Sequence, residues 1–256
     1  MASKPLTPLA RRLAKVAITL AAAGVFCLIR PDVAGLIRDK TRTVFGQYMG
    51  SRFVISEYLR THPVRKLQLG AGSLNRDGWL NTDIDLRPGQ AYLDVTRPFP
   101  IPDGAMHFVF SEHLIEHIPY QDGLNMLKQC RRVLAPGGRV RIATPNLLTF
   151  VRLFQEPSTG EATHYMQQKV TWHRWPLTPD PACLILNRQL REWGHEFLYT
   201  PKMLRAGLES AGFTGIVEYP VGRSEIPALT GLEARSDSNI EAVNAYETMV
   251  FEGVRR

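Results

Sequence analysis

Residues 64–86 read VRKLQLGAGSLNRDGWLNTDIDL, and the fold turns on how that stretch is parsed. The apolar run Lys66-Leu67-Gln68-Leu69 enters a glycine turn, Gly70-Ala71-Gly72. A second short run, Trp79 to Ile84, finishes among the acids Asp83 and Asp85. A strand, a tight turn, a short crossover and a second strand tipped by a carboxylate account for this order. Glycine in the turn opens backbone angles closed to other residues and lets a ligand approach the main chain. A carboxylate at the tip of the next strand can accept hydrogen bonds from a ribose diol, as in nucleotide-binding α/β folds.

The stretch does not specify a dinucleotide. That fingerprint wants G-x-G-x-x-G opening a helix, with an acid about 20 residues further on. Here Asn75 stands where the third glycine belongs, and Asp83 comes only 11 residues after Gly72. No lysine followed by serine or threonine follows the glycines, so a triphosphate cradle is not indicated either.

Working outward, the chain keeps alternating short apolar runs with amphipathic segments. Ala91 to Val95 ends near Asp94, and a proline-rich loop, Pro98 to Gly104, follows it. Met106 to Ser111 reads as a buried parallel strand, Tyr120 to Leu134 as a helix closed by Pro136-Gly137-Gly138, and Arg139 to Ala143 as another strand. Thr200 and Pro201 open a helix that Gly212 stops. Gly215 to Tyr219 and Thr248 to Val254 are late strands, the last placed at an edge. This pattern predicts an α/β fold: a doubly wound, mostly parallel sheet with helices on both faces, plus an N-terminal helical extension. In such a sheet ligands sit outside the carboxyl ends of strands, so the tips at Gly70–Gly72, Asp83, Asp94, Ser111–His113 and Thr144–Asn146 are expected to converge. Residues 155–195 break the rhythm with His164, Trp172, His173, Trp175, Trp193 and His195, and are expected to form a lid or substrate-facing loop.

Charge divides the chain. Residues 1–65 carry 11 Lys and Arg against 3 Asp and Glu, whereas 66–256 carry 20 against 21. The net charge of +7 thus belongs to the N-terminal arm, and no nucleic-acid partner is expected for an electrically neutral domain. Within the arm, Val16 to Ile29 is apolar, but its 14 residues reach about 21 Å, short of a hydrocarbon core of about 30 Å. Three readings stay open for it: a secretory signal, a monotopic membrane helix, or a helix packed on the protein itself. A second helix is expected over Val33–Leu59, stopped by Thr61-His62-Pro63. Residues 1–62 form a basic arm that would meet an anionic membrane surface, and 63–256 form the sheet domain. Cys27, Cys130 and Cys183 show no paired spacing, so each is expected to be a small buried hydrophobe rather than part of a disulfide or zinc framework.

Together these segments resemble the class I S-adenosylmethionine-dependent methyltransferases, and most of all the small group associated with polysaccharide and lipopolysaccharide biosynthesis. The resemblance runs from Lys66 to about Phe213 and is carried by LQLGAG (67–72), GWLNTDIDL (78–86), LDVTRPFPIPDG (93–104), FVFSEHLIEHI (108–118), CRRVLAPGGRVRIATPN (130–146), WGHEFLYT (193–200) and LESAGF (208–213). It implies S-adenosyl-L-methionine as cofactor, with Leu69, Gly70, Ala71 and Gly72 beneath its methionine and ribose. Asp83 would bind the ribose hydroxyls, with Asp85 a less favoured competitor. Asp94 and Val95 would face the adenine, and Ser111, Glu112 and His113 would lie near the sulfonium. The acceptor it implies is a small molecule or glycan, a saccharide or its lipid-linked precursor. The basic arm in turn suggests a cytoplasmic protein held peripherally or monotopically at the inner face of the cell membrane.

Such chemistry mainly requires alignment of a nucleophile and exclusion of water. A sugar hydroxyl also needs a base. His113 is the first choice because imidazole titrates near neutrality, with Glu116, His117 and His195 as alternatives. Two rivals remain. One is a non-catalytic methyltransferase-like scaffold at a membrane. The other reads His113-Leu114-Ile115-Glu116-His117 as the H-x-x-E-H signature of a zinc hydrolase, with Glu192 or Glu196 as third ligand. Pro119 ends that segment after one turn and a strand enters it, so no metal is expected.

Overall fold

A computed structural model of the chain describes residues 50–176, 179–234 and 237–256. The apolar stretch 16–29, Cys27 and most of the helix expected over 33–59 lie outside the described residues. Ser51–Arg256 forms one compact unit. It takes in the helical residues 51–61 (α1), which the sequence reading assigned to the arm. The reason is their spacing: Ser51, Ile55 and Tyr58 are buried on one face, and Ile55 and Tyr58 join the main core. The Tyr58 hydroxyl accepts from the Lys66 amide at 2.8 Å and so pins α1 to the start of the first strand. Among the described residues no helix is long and apolar enough to cross a membrane.

Seven strands make one sheet in the order β3-β2-β1-β4-β5-β7-β6. They are β1 (Lys66–Leu69), β2 (Leu80–Asp83), β3 (Ala91–Tyr92), β4 (Met106–Glu112), β5 (Leu134–Pro145), β6 (Thr214–Tyr219) and β7 (Thr248–Val254). β1 through β5 pair in parallel, and β7 runs antiparallel to both β5 and β6. The chain builds outward from β1 through β2 to β3, then returns to start β4 on the other side of β1. That reversal is the switch point at which open α/β sheets bind ligands. The doubly wound reading is therefore correct, with one correction: Thr248–Val254 is an interior strand and β6 is the edge. Six of the seven β7 residues are buried, the pattern of a strand covered on both faces, whereas β6 alternates half-buried with exposed positions.

The helices after α1 are α2 (Tyr120–Val133), α3 (Leu147–Gln155), α4 (Gly160–Trp172), α5 (Pro181–Arg191), α6 (Pro201–Ser210) and α7 (Ser238–Glu247). Side-chain caps start most of them. Asn146, Thr159, Asp180, Thr200 and Asp237 each accept from an amide in the first turn. The segment 155–195, expected as a loop, is mainly helical. α3, α4, α5 and α7 share a second core of Phe150, Leu153, Ala162, Tyr165, Ile185 and Val243. That small helical layer stands at the end of β5, where Pro145 meets Lys169, Trp172 and Gln189 around one pocket. Cys130 is buried and burial pushes its thiol up to about 12, so it is inert. Cys183 is exposed on the outer side of α5, against expectation, because the buried side of that helix is taken by Ala182, Ile185 and Gln189.

Candidate active site

β1 places its last residue, Leu69, between Thr82 of β2 and Ser111 of β4. Beyond it, Gly70 (φ 63°) and Gly72 (φ 52°) take left-handed angles that a side chain would strain. The Ala71 amide donates to the Thr82 carbonyl at 2.9 Å, and the Gly72 amide donates to Asp83 Oδ2 at 2.8 Å. Asp83 Oδ1 accepts from the Asp85 amide at 2.9 Å. Gln90 Nε2 closes the loop from outside, on the Gly72 carbonyl and Asn75 Oδ1, both at 2.8 Å. The Asp83 carboxylate is thereby fixed at the rim of the glycine turn, and each oxygen keeps a lone pair for a ligand. Asp85 only lends its amide to this arrangement, which favours Asp83 of the two.

The remaining tips lie next to this one. The Leu93 amide donates to the Asp83 carbonyl at 3.1 Å, which sets Asp94 one residue beyond. Asp94 Oδ1 accepts from the Thr96 amide (2.9 Å) and hydroxyl (2.6 Å), and Val95 is buried behind it. Ser111 and Glu112 end β4. Glu112 turns toward Arg76 at 3.7 Å, in an ion pair rather than an open site. Two features fit a bound nucleoside. A Cβ on Gly72 would meet nothing within 4 Å, whereas Leu114 already closes the space at Gly70. The Ser111 hydroxyl is buried with no partner among the described residues, an unsatisfied polar atom at the switch point.

After β4 the chain turns sharply at His113 (φ 48°), whose amide donates to the Ala143 carbonyl at 3.0 Å. Its Nδ1 lies 3.1 Å from Glu116 Oε1 and its Nε2 lies 3.1 Å from Asn244 Oδ1. Glu116 is fully buried, and its other oxygen accepts from the Thr144 hydroxyl at 2.9 Å. Burial disfavours charge on both, but the ion pair outweighs it. The imidazole rises to about 9 and the carboxyl falls below its ordinary value. His113, the first choice as base, thus has both nitrogens committed, and the buried carboxylate beside it favours the charged imidazole. Glu116 is equally committed, and neither takes a proton readily.

His117 and His195 meet edge to face, ring centroids 4.7 Å apart. His195 Nδ1 lies 2.7 Å from the Gln189 carbonyl, an atom that can only accept, so Nδ1 carries the hydrogen and Nε2 presents its lone pair. Burial, opposed by the Gln189 bond, holds His195 below the ordinary imidazole value, so it is neutral. Both rings line a pocket of about 220 Å³ together with His113, Glu116, Trp172 and Trp193. Its far wall is Lys169, 2.8 Å from Glu247 and stacked over Trp193. Lys169, Asn244 and Glu247 were not singled out in the sequence. Nothing local marks them, since their partners lie on other elements.

The H-x-x-E-H reading does not assemble. Residues Ile115–His117 form a single 3₁₀ turn, so His113 and His117 share no helical face, and His113 faces Asn244. Glu192 and Glu196 are exposed.

Stability should carry the mark of the His113–Glu116 pair. His113 is raised above its unfolded value, so its contribution is complete below about pH 6.5 and is lost as the pH climbs through about 9. Glu116 is lowered, so its contribution is present above about 4.5 and is lost as the pH falls through its folded value. We expect the unfolding free energy, measured by urea titration with a chelator present, to decline between about pH 7 and about 9.5 by at most about 3 kcal/mol. In His113→Gln that decline should vanish. Parallel curves for the two proteins would contradict a cationic His113.

Residues 79–142 match the family described as "Methyltransferase domain". A probable S-adenosylmethionine-dependent methyltransferase of Mycolicibacterium smegmatis is 34% identical over 67 residues, which are 26% of this chain and 23% of that protein. The chain thus spans about a quarter of the length of the curated relative it matches. Among solved structures, a SAM-dependent methyltransferase from Archaeoglobus fulgidus aligns over 83% of this chain and 99% of its own at 16% identity and a TM-score of 0.45. A possible histamine N-methyltransferase from Thermotoga maritima aligns over 84% and 96% at 14% identity and a TM-score of 0.44. The matched segment begins at Trp79, just before β2, and ends within β5, so it takes in the tips of β2, β3 and β4 and starts after the glycine turn that follows β1.

Proposed function

We propose that the chain transfers a methyl group from S-adenosylmethionine to a hydroxyl of a saccharide or lipid-linked saccharide. The observation that carries this is the Gly72–Asp83 pair at the β1/β4 switch point, taken with the pocket that His113, just after β4, lines with His117, His195 and two tryptophans. When bound, the cofactor supplies a methyl already activated on its sulfonium. Asp83 accepts from the ribose hydroxyls, Asp94 faces the adenine amino group, and Gly72 leaves room for the chain between them. Ser111 offers its unmatched hydroxyl at the tip of β4, two residues before His113. Trp172 and Trp193, each part exposed at that pocket, give apolar surface against which the C–H face of a sugar ring can pack. The nitrogens of His195 and His117 are the groups in the pocket free to engage the acceptor's O–H.

Incubation of a cell extract with methyl-labelled cofactor, followed by separation into lipid, saccharide, protein and nucleic-acid pools, tests the reading. Label is expected in the saccharide or lipid pool. His195→Ala should lower incorporation by about 10²- to 10⁴-fold, the scale of loss when a group that positions or activates the acceptor's hydroxyl is removed. Label confined to protein or nucleic acid would contradict the saccharide assignment, and none in any pool would contradict transfer itself.

A further inference from the structure

We propose that Glu116, His117 and His195 bind a divalent metal ion, zinc foremost, which holds the acceptor oxygen. The atoms they offer lie within 4.8 Å of one another. Two imidazole nitrogens and one carboxylate oxygen are a donor set that zinc accepts, and a zinc site that does chemistry keeps its fourth position open. Here that position faces the pocket of about 220 Å³.

Each ligand is already held as a metal ligand needs to be. His195 donates Nδ1–H to a backbone carbonyl, which fixes its tautomer and points Nε2 inward. Glu116 is oriented through both oxygens, by His113 and by the Thr144 hydroxyl, yet each oxygen retains a second lone pair. Donor atoms around tetrahedral zinc stand about 3.3 Å apart, so the three must close by up to about 1.5 Å. His117 can supply the movement, since its ring makes no hydrogen bond among the described residues.

The donor set selects the ion. Two of the three donors are imidazole nitrogens and only one is a carboxylate oxygen, a poor set for a hard cation. Binding must come from the nitrogen donors, which favours zinc over magnesium or calcium.

The inference rests on reading this pocket as the acceptor site and says how the acceptor is activated there. A hydroxyl on the metal loses its proton to pocket water. Its oxygen lone pair forms the new C–O bond as the S–CH3 bond breaks, and that bond's electron pair returns to sulfur. S-adenosylhomocysteine, the methyl ether and one proton are the products.

The test is calorimetric titration of the full chain with zinc chloride after chelator treatment, with S-adenosylhomocysteine binding measured in parallel. One ion per chain with a sub-micromolar Kd is expected, and millimolar magnesium should give no heat. His117→Ala and His195→Ala should each weaken zinc binding at least 100-fold while leaving S-adenosylhomocysteine affinity unchanged, which also reports correct folding. His117→Gln provides a conservative second variant and should weaken zinc similarly. No stoichiometric zinc on protein that binds S-adenosylhomocysteine, or equal zinc affinity in the folded variants, would overturn the proposal. Loss of S-adenosylhomocysteine binding in the wild-type chain would instead count against the methyl-transfer reading and leave the zinc result interpretable.

Discussion

Asp83→Ala is expected to weaken S-adenosylhomocysteine binding about 100-fold, about 3 kcal/mol. The substitution removes the charged acceptor for the ribose hydroxyls. It also strips the Gly72 amide of its 2.8 Å partner, so the glycine turn loses the contact that fixes its rim. Asp85→Ala is the matched control. That residue contributes its amide, which the substitution keeps, so affinity should stay within about threefold of wild type. If Asp83→Ala bound as tightly as wild type, the acid at the tip of β2 would have no part in the site. A loss confined to Asp85→Ala would move the ribose contact two residues along.

Arg141→Met should be the most destabilising single change in the sheet. Arg141 sits on β5 with its side chain fully buried, directly opposite Glu252 of β7. Its guanidinium grips Glu233 through two bonds of 2.6 and 2.7 Å and reaches Glu252 at 2.7 Å and the Arg223 carbonyl at 2.9 Å. Glu233 in turn accepts from the Gly222 amide at 3.0 Å. The cluster therefore clamps the segment between β6 and α7 onto the sheet. Leu229 and Leu232 from that segment pack with Trp79 and Phe110 behind the glycine turn. Removing the cation takes the guanidinium from two buried carboxylates, which costs about 3–5 kcal/mol, or a drop in Tm of about 10 °C for a unit of this size. Replacing Arg141, Glu233 and Glu252 together with apolar residues of similar volume should recover most of the loss. A single variant that melts with wild type would mean that the segment is held by its apolar contacts alone.

What could be read in the sequence follows from how local the cause was. β1, β2, β4 and β5 are short apolar runs bounded by glycine, proline or acid, and the Thr200–Pro201 start of α6 is a cap chemistry confined to four residues. The Gly72–Asp83 contact has a local cause too, since a left-handed glycine and a strand-tip acid stand only 11 residues apart. Three things were not local. β7 lies inside the sheet because it pairs with β5, a partner more than 100 residues earlier. Residues 155–195 fold as helices because Tyr165 and Ile185 find their apolar partners on α3 and α7, and the Tyr165 hydroxyl ends on Glu247, 82 positions away.

The protonation state of His113 was the most distant of all. Sequence shows a histidine beside a glutamate, and from that either a base or a metal ligand follows. The structure shows that glutamate buried and a third partner, Asn244, 131 positions along, so the imidazole becomes a fixed cation. The imidazole with a lone pair left over is His195, whose orientation depends on a carbonyl of α5 that no motif records.

The most direct check on the account is a crystal structure of the S-adenosylhomocysteine complex. The ribose diol is expected within hydrogen-bond reach of Asp83, the adenine beside Asp94 and the sulfur toward the pocket of His117 and His195. Ligand density elsewhere on the molecule, touching none of Gly72, Asp83 and Asp94, would contradict it.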